Sequence, residues 1–316
     1  MDITTIAIIG GSGFVGRHIC HRLAAEGYRV RVATRDRERA KDNLIFLPTV
    51  EAESVNVHDP RELEAFFRGA DAIMNLVGVL HDRGGTGSFQ AAHVDLAGKV
   101  VSACRNAGVS RLLHMSALQA SRSGPSRYLR SKGEAEAIVR ESGLGWTIFR
   151  PSVIFGRGDS FLNLFADLLR IFPVVFLGCP TARFQPVFVE DIAAAFAKSL
   201  VDPASVGQSY DLCGPKVYRL RELVEFVGAV TGHRRPVIGL NDMLSYWQAF
   251  AMELLPMKLM TRDNFRSMQV ASVCDCAFPF GVEPAPLEAI ALTCLAQRTP
   301  RQRYQWMRRQ ARRGER

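Results

Sequence analysis

No uninterrupted apolar run in this chain is long enough to cross a bilayer. The longest apolar stretch, FLNLFADLLRIFPVVFLG at residues 161–178, is broken by Asp167, Arg170 and Pro173, and a spanning helix needs about 20 mostly apolar residues. A leading basic segment is also lacking. MDITTIAIIGG runs straight into a glycine motif, so the expectation is a chain without signal or transit peptide, in the cytoplasm. Repeats and low-complexity tracts are absent. With 47% apolar and 22% charged residues, the 316-residue chain can bury a core, which excludes a disordered protein and fits one large or two smaller domains of roughly 150 residues each. Cysteines are few and scattered: of seven, only Cys274 and Cys276 are close neighbours. An odd count without a framework leads to the expectation of reduced thiols. Cys-Asp-Cys without a second ligand cluster leads to no metal site.

The globular part lacks net charge as well. The formal charge is +9, but residues 298–316 hold eight arginines and one glutamate, which leaves +2 for the rest. General nucleic-acid binding is therefore not expected. Residues 301–316 form a basic tail in which Tyr304, Trp306 and Met307 alternate with arginines. This composition suits an anionic membrane surface, such as the inner face of a cell membrane, RNA or an acidic protein partner; a solvated, frayed helix is the alternative.

What the chain does have begins at once. TTIAIIG reads as a buried strand, GGSGFVG follows, FVGRHICHRLAAEG places Val15, Ile19 and Leu23 on one helical face, and YRVRVATR forms a second strand. This is a strand–turn–helix–strand unit with glycines at its first turn. Gly10 permits the tight turn, Gly13 lets the backbone approach a pyrophosphate, and Gly16 allows close packing of helix on strand. The helix N-terminus adds amide donors and a positive dipole end. Gly10, Ser12, Gly13, Phe14, Val15 and Gly16 are thus expected to hold a dinucleotide. At the second strand's end, where an acidic residue would bind the ribose 2′-hydroxyl of NAD, stand Thr34 and Arg35, then Asp36. A guanidinium there pairs with a 2′-phosphate, so NADP(H) is expected over NAD(H). A solvated arginine at a strand end is the alternative.

Strands and helices keep alternating: AESVNVHD, PRELEAFFRGA, DAIMNLVGVL, AAHVDLAGKVVSACRNAG, RLLHMSAL and GWTIFRPSVIFG. The fold class expected is α/β, a Rossmann-type doubly wound parallel sheet with ligands at the strand carboxyl ends. Asn56 and Val57 then fall beside the adenine, and Leu76, Val77 and Gly78 beside the phosphates and ribose. In SRYLRSKGEAE, Tyr128 and Lys132 stand four apart on one helical face.

Taken in order, GGSGFVG, HMSA, YLRSK, RPSVIFGRGD, FQPVFVEDIAAAF and YDLCGP resemble the extended short-chain dehydrogenases/reductases over residues 3 to 215. LMTRDNFRSMQVASVCD and FGVEPAPLEAI further resemble one atypical branch of that family. That branch contains the NADPH-binding accessory subunit (alpha-subcomplex subunit nine) of respiratory complex I and its bacterial relatives, some linked to ubiquinone biosynthesis. The resemblance implies that Ser116, Tyr128 and Lys132 are the catalytic set. In it, the tyrosine moves a proton at a substrate oxygen, and the lysine contacts the nicotinamide ribose and lowers the tyrosine pKa. An ammonium about 4 Å away contributes roughly 4 kcal/mol at an effective dielectric near 20, enough to bring a phenol towards neutrality. Pro151 and Val153 are carried over as further cofactor contacts. His93 stands where many members have asparagine, and Asn56 where they have aspartate. The complex I branch keeps the tyrosine–lysine pair and the nucleotide without established turnover.

Three functions follow as expectations. The first is an NADP(H)-holding accessory or assembly protein of respiratory or quinone metabolism, with a respiratory-complex partner. The second is an NADP(H)-dependent oxidoreductase of the epimerase/dehydratase-like family acting on a carbonyl or hydroxyl compound. The third is a module that senses NADP(H) redox state. The domain organisation expected is a Rossmann domain over 1–156 and a smaller lobe over 157–300, with 187–203 packing back on the first domain. His114 reads as a satisfied core histidine and Asp191 as a helix N-cap. In NDMLSYWQAFAMELLPMKLM, Leu244, Trp247, Met252 and Leu255 read as ordinary helix packing or as an adaptable apolar pocket for a quinone-like or isoprenoid-like molecule.

Overall fold

The chain opens on Thr5–Ile9 (β1), whose side chains are buried almost throughout, as a central parallel strand covered on both faces requires. The structure is a computed structural model that describes residues 3–35, 47–82, 84–255 and 259–295. Asp36 and the basic tail lie outside the described residues. After helix α1 (Phe14–Ala25) come β2 (Arg29–Thr34), β3 (Val50–Ser54), α2 (Pro60–Phe67) and β4 (Ala72–Asn75). A π-helical turn, Gln90–Asp95, leads into α3 (Leu96–Ala107), followed by β5 (Arg111–Met115), α4 (Arg127–Arg140) and β6 (Gly145–Pro151).

These strands and one later strand form a seven-stranded sheet in which every pairing is parallel. Its order reverses at β1, with β2 on one side and β4 on the other. That reversal leaves a crevice at the strand carboxyl ends. Ile19, Leu23, Ile192 and Phe196 cover one face, and Leu63, Phe66, Phe67, Leu96 and Val100 cover the other.

The seventh strand comes from beyond residue 156. Two short strands, β7 (Ile154–Phe155) and β8 (Val175–Leu177), flank helix α5 (Phe161–Ile171), and β9 (Arg183–Phe184) and β10 (Val187–Phe188) follow. Helix α6 (Val189–Val201) then packs on α1, and β11 (Gln208–Leu212) pairs with β6. The Rossmann layer is thus built from two chain segments, which corrects a boundary drawn at residue 156. A parallel pairing across that many residues leaves no local sign in the sequence. The remaining elements are β12 (Tyr218–Arg219), α7 (Leu220–Val230), β13 (Val237–Gly239), α8 (Asp242–Glu253), α9 (Arg262–Ser267) and α10 (Leu287–Leu295); all but α8 contribute to a smaller core around Leu162, Leu169, Leu223 and Val227.

Two expectations are corrected here. Cys213, next after β11, is disulfide-bonded to Cys274, 61 residues later, with Cα atoms 6.0 Å apart. Cys20, Cys104, Cys179, Cys276 and Cys294 remain free. The partners meet because Gln185 binds the Cys274 amide through its side-chain oxygen and the Gly214 carbonyl through its side-chain nitrogen. Asp191 is not the N-cap of α6, a position held by Phe188. It lies in the first turn, where its carboxylate accepts the Ala285 amide at 2.8 Å.

Candidate functional site

The glycine loop joins β1 to α1 through two positions where a side chain is excluded. Gly10 has φ of +84°, and a Cβ there would lie 3.0 Å from the Leu76 carbonyl carbon and 3.1 Å from the Val77 nitrogen. A Cβ at Gly16 would lie 2.5 Å from the Gly11 Cα, inside the helix–strand contact. At Gly13 a Cβ would meet only the Gly10 carbonyl, at 3.1 Å, so its remaining side is open. Ser12, Phe14 and Val15 complete the turn and the start of α1, and no side chain caps that N-terminus. Its amide donors are left for a ligand or solvent.

Most of the other expected cofactor residues line the same sheet edge. Arg35 follows β2 and is exposed; Asn56 and Val57 follow β3; Leu76, Val77 and Gly78 follow β4. Pro151 ends β6 and Val153 comes two residues later. The Asn56 side-chain oxygen accepts the His58 amide at 3.1 Å. The His58 ring has its pKa lowered by burial, then by Lys99 and Arg35. Two cations thus stand close to one imidazole at the ends of β2 and β3. Lys99, which donates to the His58 carbonyl at 2.8 Å, gave no motif signal in the sequence.

At the opposite end of this edge, helix α4 delivers Tyr128 and Lys132. Lys132 is buried, and its ammonium donates to the Met115 carbonyl at 3.2 Å and the Val77 carbonyl at 3.5 Å. Burial lowers its pKa to about 8, and Glu136 acts in the opposite direction. Glu136 is itself buried between Arg150 and Arg140. Ser116, one residue past β5, is buried, and its hydroxyl has no hydrogen-bond partner. A polar atom left so is costly unless a ligand or water completes it.

Tyr128 departs from expectation. Burial pushes its phenol up to about 12, away from neutrality, so in the protein alone desolvation outweighs any pull from Lys132. Its ring packs edge-on against His93, with centroids 5.7 Å apart, and against Phe89 at 5.8 Å. His93 lies in the π-helical turn. Its Nε2 accepts the Val79 amide at 3.1 Å, so its proton sits on Nδ1 and is donated to Ser131 Oγ at 2.8 Å. That hydroxyl donates to the Tyr128 carbonyl at 2.8 Å. Burial, Lys132 and His114 lower the His93 pKa to about 2, which keeps the ring neutral. His93 therefore braces the Gly78–Val79 loop against the tyrosine helix and stays uncharged at ordinary pH.

His114 is only half satisfied, which corrects its reading as a settled core residue. Its Nδ1 meets Asn75 Nδ2 at 3.2 Å while its Nε2 has no partner. Burial lowers its pKa to about 3.

One positioning contact had no signal in the sequence. Ser126 caps α4 through the Leu129 amide at 3.1 Å. Asp263 of α9 adds its carboxylate, accepting the Arg127 amide at 2.7 Å and the Tyr128 amide at 3.0 Å. The smaller lobe thus holds the first turn that carries Tyr128.

Among the described residues no apolar pocket forms along α8: Leu244, Trp247 and Leu255 are exposed and Met252 is half-buried.

Residues 10–159 match the family model described as NAD(P)H-binding. The chain is 29% identical to the mouse mitochondrial NADH dehydrogenase [ubiquinone] 1 alpha subcomplex subunit 9 over 314 residues, covering 95% of this chain and 81% of that protein. It is 34% identical to a ceramide reductase of Caulobacter vibrioides over 192 residues, covering 60% of this chain and 58% of that one. An NADPH-dependent quinone oxidoreductase from Escherichia coli, solved with NADPH, shares the fold with a TM-score of 0.73 at 17% identity, over 90% of this chain and 98% of that one.

Proposed function

We propose, from the premise that this chain is an extended short-chain dehydrogenase/reductase-like protein with an NAD(P)H-binding domain, that it holds NADP(H) as an accessory or assembly factor of respiratory or quinone metabolism. The observation that carries this reading is the placement of Lys132 on α4, to which the raised Tyr128 phenol adds. Lys132 is buried with its ammonium fixed at the ends of two central strands, where it can bind a ribose. Tyr128, by contrast, has a phenol pushed up to about 12, and a general acid works best with a pKa near the operating pH. Similarity to a complex I subunit over most of the chain supports an accessory role and a respiratory partner. The exposed Arg35, with Lys99 close by, supports preference for the 2′-phosphate of NADP(H). Bound NADP(H) supplies hydride chemistry; this chain's residues would hold and orient it.

A second reading, an active NADP(H)-dependent oxidoreductase, is favoured by the unpartnered Ser116 hydroxyl and by likeness to a ceramide reductase. Tyr128→Phe separates the two. A holder should keep its cellular role in a deletion strain, with NADPH affinity changed by no more than the ~0.5–1.5 kcal/mol of one hydrogen bond. Loss of the cellular role by about 10²–10⁴-fold, with NADPH still bound, would establish a working acid instead.

A further inference from the structure

Helix α8 turns its apolar face away from the protein. Met243, Leu244, Trp247 and Ala251 fall within one third of the circumference of α8, Leu254 and Leu255 follow at its C-terminal end, and all six are exposed, with Trp247 at 58% and Leu254 at 74% of full accessibility. The buried contacts on the opposite face are made by small residues, Ser245 and Ala249. The stripe contains no charged residue. An ordinary surface helix is oriented the other way, with its apolar stripe inward.

The surface continues onto the neighbouring strands. Gln248 donates its side-chain amide to the Phe176 carbonyl at 2.8 Å. Phe176 pairs in register with Ile238, and both side chains are exposed. Ile171 and Phe172, at the end of α5, are also exposed. At roughly 150–250 Å² for a whole aromatic side chain, the exposed parts of Phe176 and Trp247 alone leave about 200 Å² uncovered. The aliphatic residues of α8 add to this, taking the face to the size of the largest apolar patch on a monomer, which is often functional.

The charges bordering this face decide what covers it. Arg170, Arg234 and Arg235 are exposed beside Ile171, Phe172 and Ile238. Of the acids on these elements, Asp167 pairs with Arg170 and Glu253 with Arg262, and the exposed Asp242 opens α8 outside the apolar stripe. Convex apolar side chains, an exposed indole and a rim of arginines are what an amphipathic helix presents when it lies in the headgroup region of an anionic bilayer.

We propose that α8, with Phe176 and Ile238, is a membrane-docking face that seats the protein on bilayers containing anionic phospholipid. This does not depend on the nucleotide reading, and it locates membrane contact in the smaller lobe and not only in the tail. The test is cosedimentation of the full chain with vesicles of phosphatidylcholine, with and without phosphatidylglycerol. The unmodified protein should bind the anionic vesicles. The triple variant Trp247→Ser, Leu254→Ser, Leu255→Ser should lose at least tenfold in partition while binding NADPH unchanged, since all three side chains are exposed. Arg234→Ala with Arg235→Ala should lose about fivefold per arginine, on anionic vesicles alone. The triple variant should also lose partition in protein lacking residues 301–316, which separates this face from the tail. Equal partition by unmodified and triple-variant protein overturns the proposal. So does failure of the unmodified protein to bind any vesicle, as does a triple variant that only dissolves a self-associated species in sedimentation velocity. NADPH titration of each sample keeps this outcome separate from that of the nucleotide reading.

Discussion

Replacing Lys132 with methionine should make the protein more stable and less able to bind its nucleotide. Burial depresses the ammonium pKa from 10.5 to about 8. At ~1.4 kcal/mol per pH unit, keeping the charge in place at pH 7 costs about 3 kcal/mol. Between about pH 8 and the ordinary lysine value the unfolded chain holds a proton that the folded chain has released. Stability should therefore rise with pH across that window, with the penalty at full strength below it and absent above it. Methionine keeps the length and apolar stem but forfeits the bonds to the Met115 and Val77 carbonyls, whose lengths of 3.2 and 3.5 Å hold them below the ~1.5–3 kcal/mol of a well-formed charged bond, at about 1 kcal/mol each. The net gain at pH 7 is about 1 kcal/mol, seen as a Tm higher by a few degrees and as loss of the pH slope above 8. Binding should move oppositely. A charge-assisted bond to the ribose is worth about 1.5–3 kcal/mol, so NADPH affinity should fall roughly 10–150-fold. In the unmodified protein the affinity should decline above pH 8 as the ammonium discharges. Differential scanning fluorimetry and calorimetric titration from pH 6.5 to about 10 measure both. A variant that melts lower and binds NADPH as before would refute the reasoning, because Lys132 would then be a structural cation.

Three further outcomes are expected. Gly13→Val should abolish dinucleotide binding in folded protein, because the open side of Gly13 is where the backbone must approach the pyrophosphate; calorimetry with undiminished affinity would remove the cofactor assignment. Arg35→Ala should reduce the preference for NADPH over NADH by about 1–3 kcal/mol while leaving NADH affinity nearly unchanged. Equal binding of both cofactors by the unmodified protein would count against it. Asp263→Ala should cost about 1–2 kcal/mol of stability, as loss of a charged cap does, read from denaturant midpoints. It should also weaken NADPH binding through looser placement of Lys132; unaltered midpoint and affinity would show that Ser126 alone holds α4.

The site residues visible in the sequence are those whose neighbours in space are also neighbours along the chain. Gly10, Gly13 and Gly16 belong to one turn between a strand and its helix, and Tyr128 and Lys132 to one helical face. Local periodicity reveals both kinds of arrangement. Asp263 meets the Tyr128 amide across 135 residues, Cys213 meets Cys274 across 61, and β11 joins β6 past the helices and strands between them. Each of these contacts is fixed by tertiary packing, which a short window does not contain. His93 is intermediate. Its departure from the family pattern is visible in HVDLAG, but its bonds to Val79 and Ser131 depend on how the π-helical turn meets α4.

Helix α8 shows why periodicity has a direction that sequence does not supply. Positions 243, 244, 247, 251, 254 and 255 recur as an apolar stripe, and the ordinary inference turns such a stripe inward as packing or a pocket wall. The structure turns it outward because the other face is smoother. Ser245 and Ala249 are small enough to let the helix lie close to β8, where Ser245 Oγ accepts the Cys179 amide at 3.0 Å and Gln248 binds the Phe176 carbonyl. That close approach leaves the Cys179 amide and the Phe176 carbonyl hydrogen-bonded, as buried backbone groups require. The larger residues are left to face whatever lies beyond the protein. A stripe of apolar residues thus asks for a cover; only the small residues on the opposite face say that the cover is not supplied by the described residues of this chain.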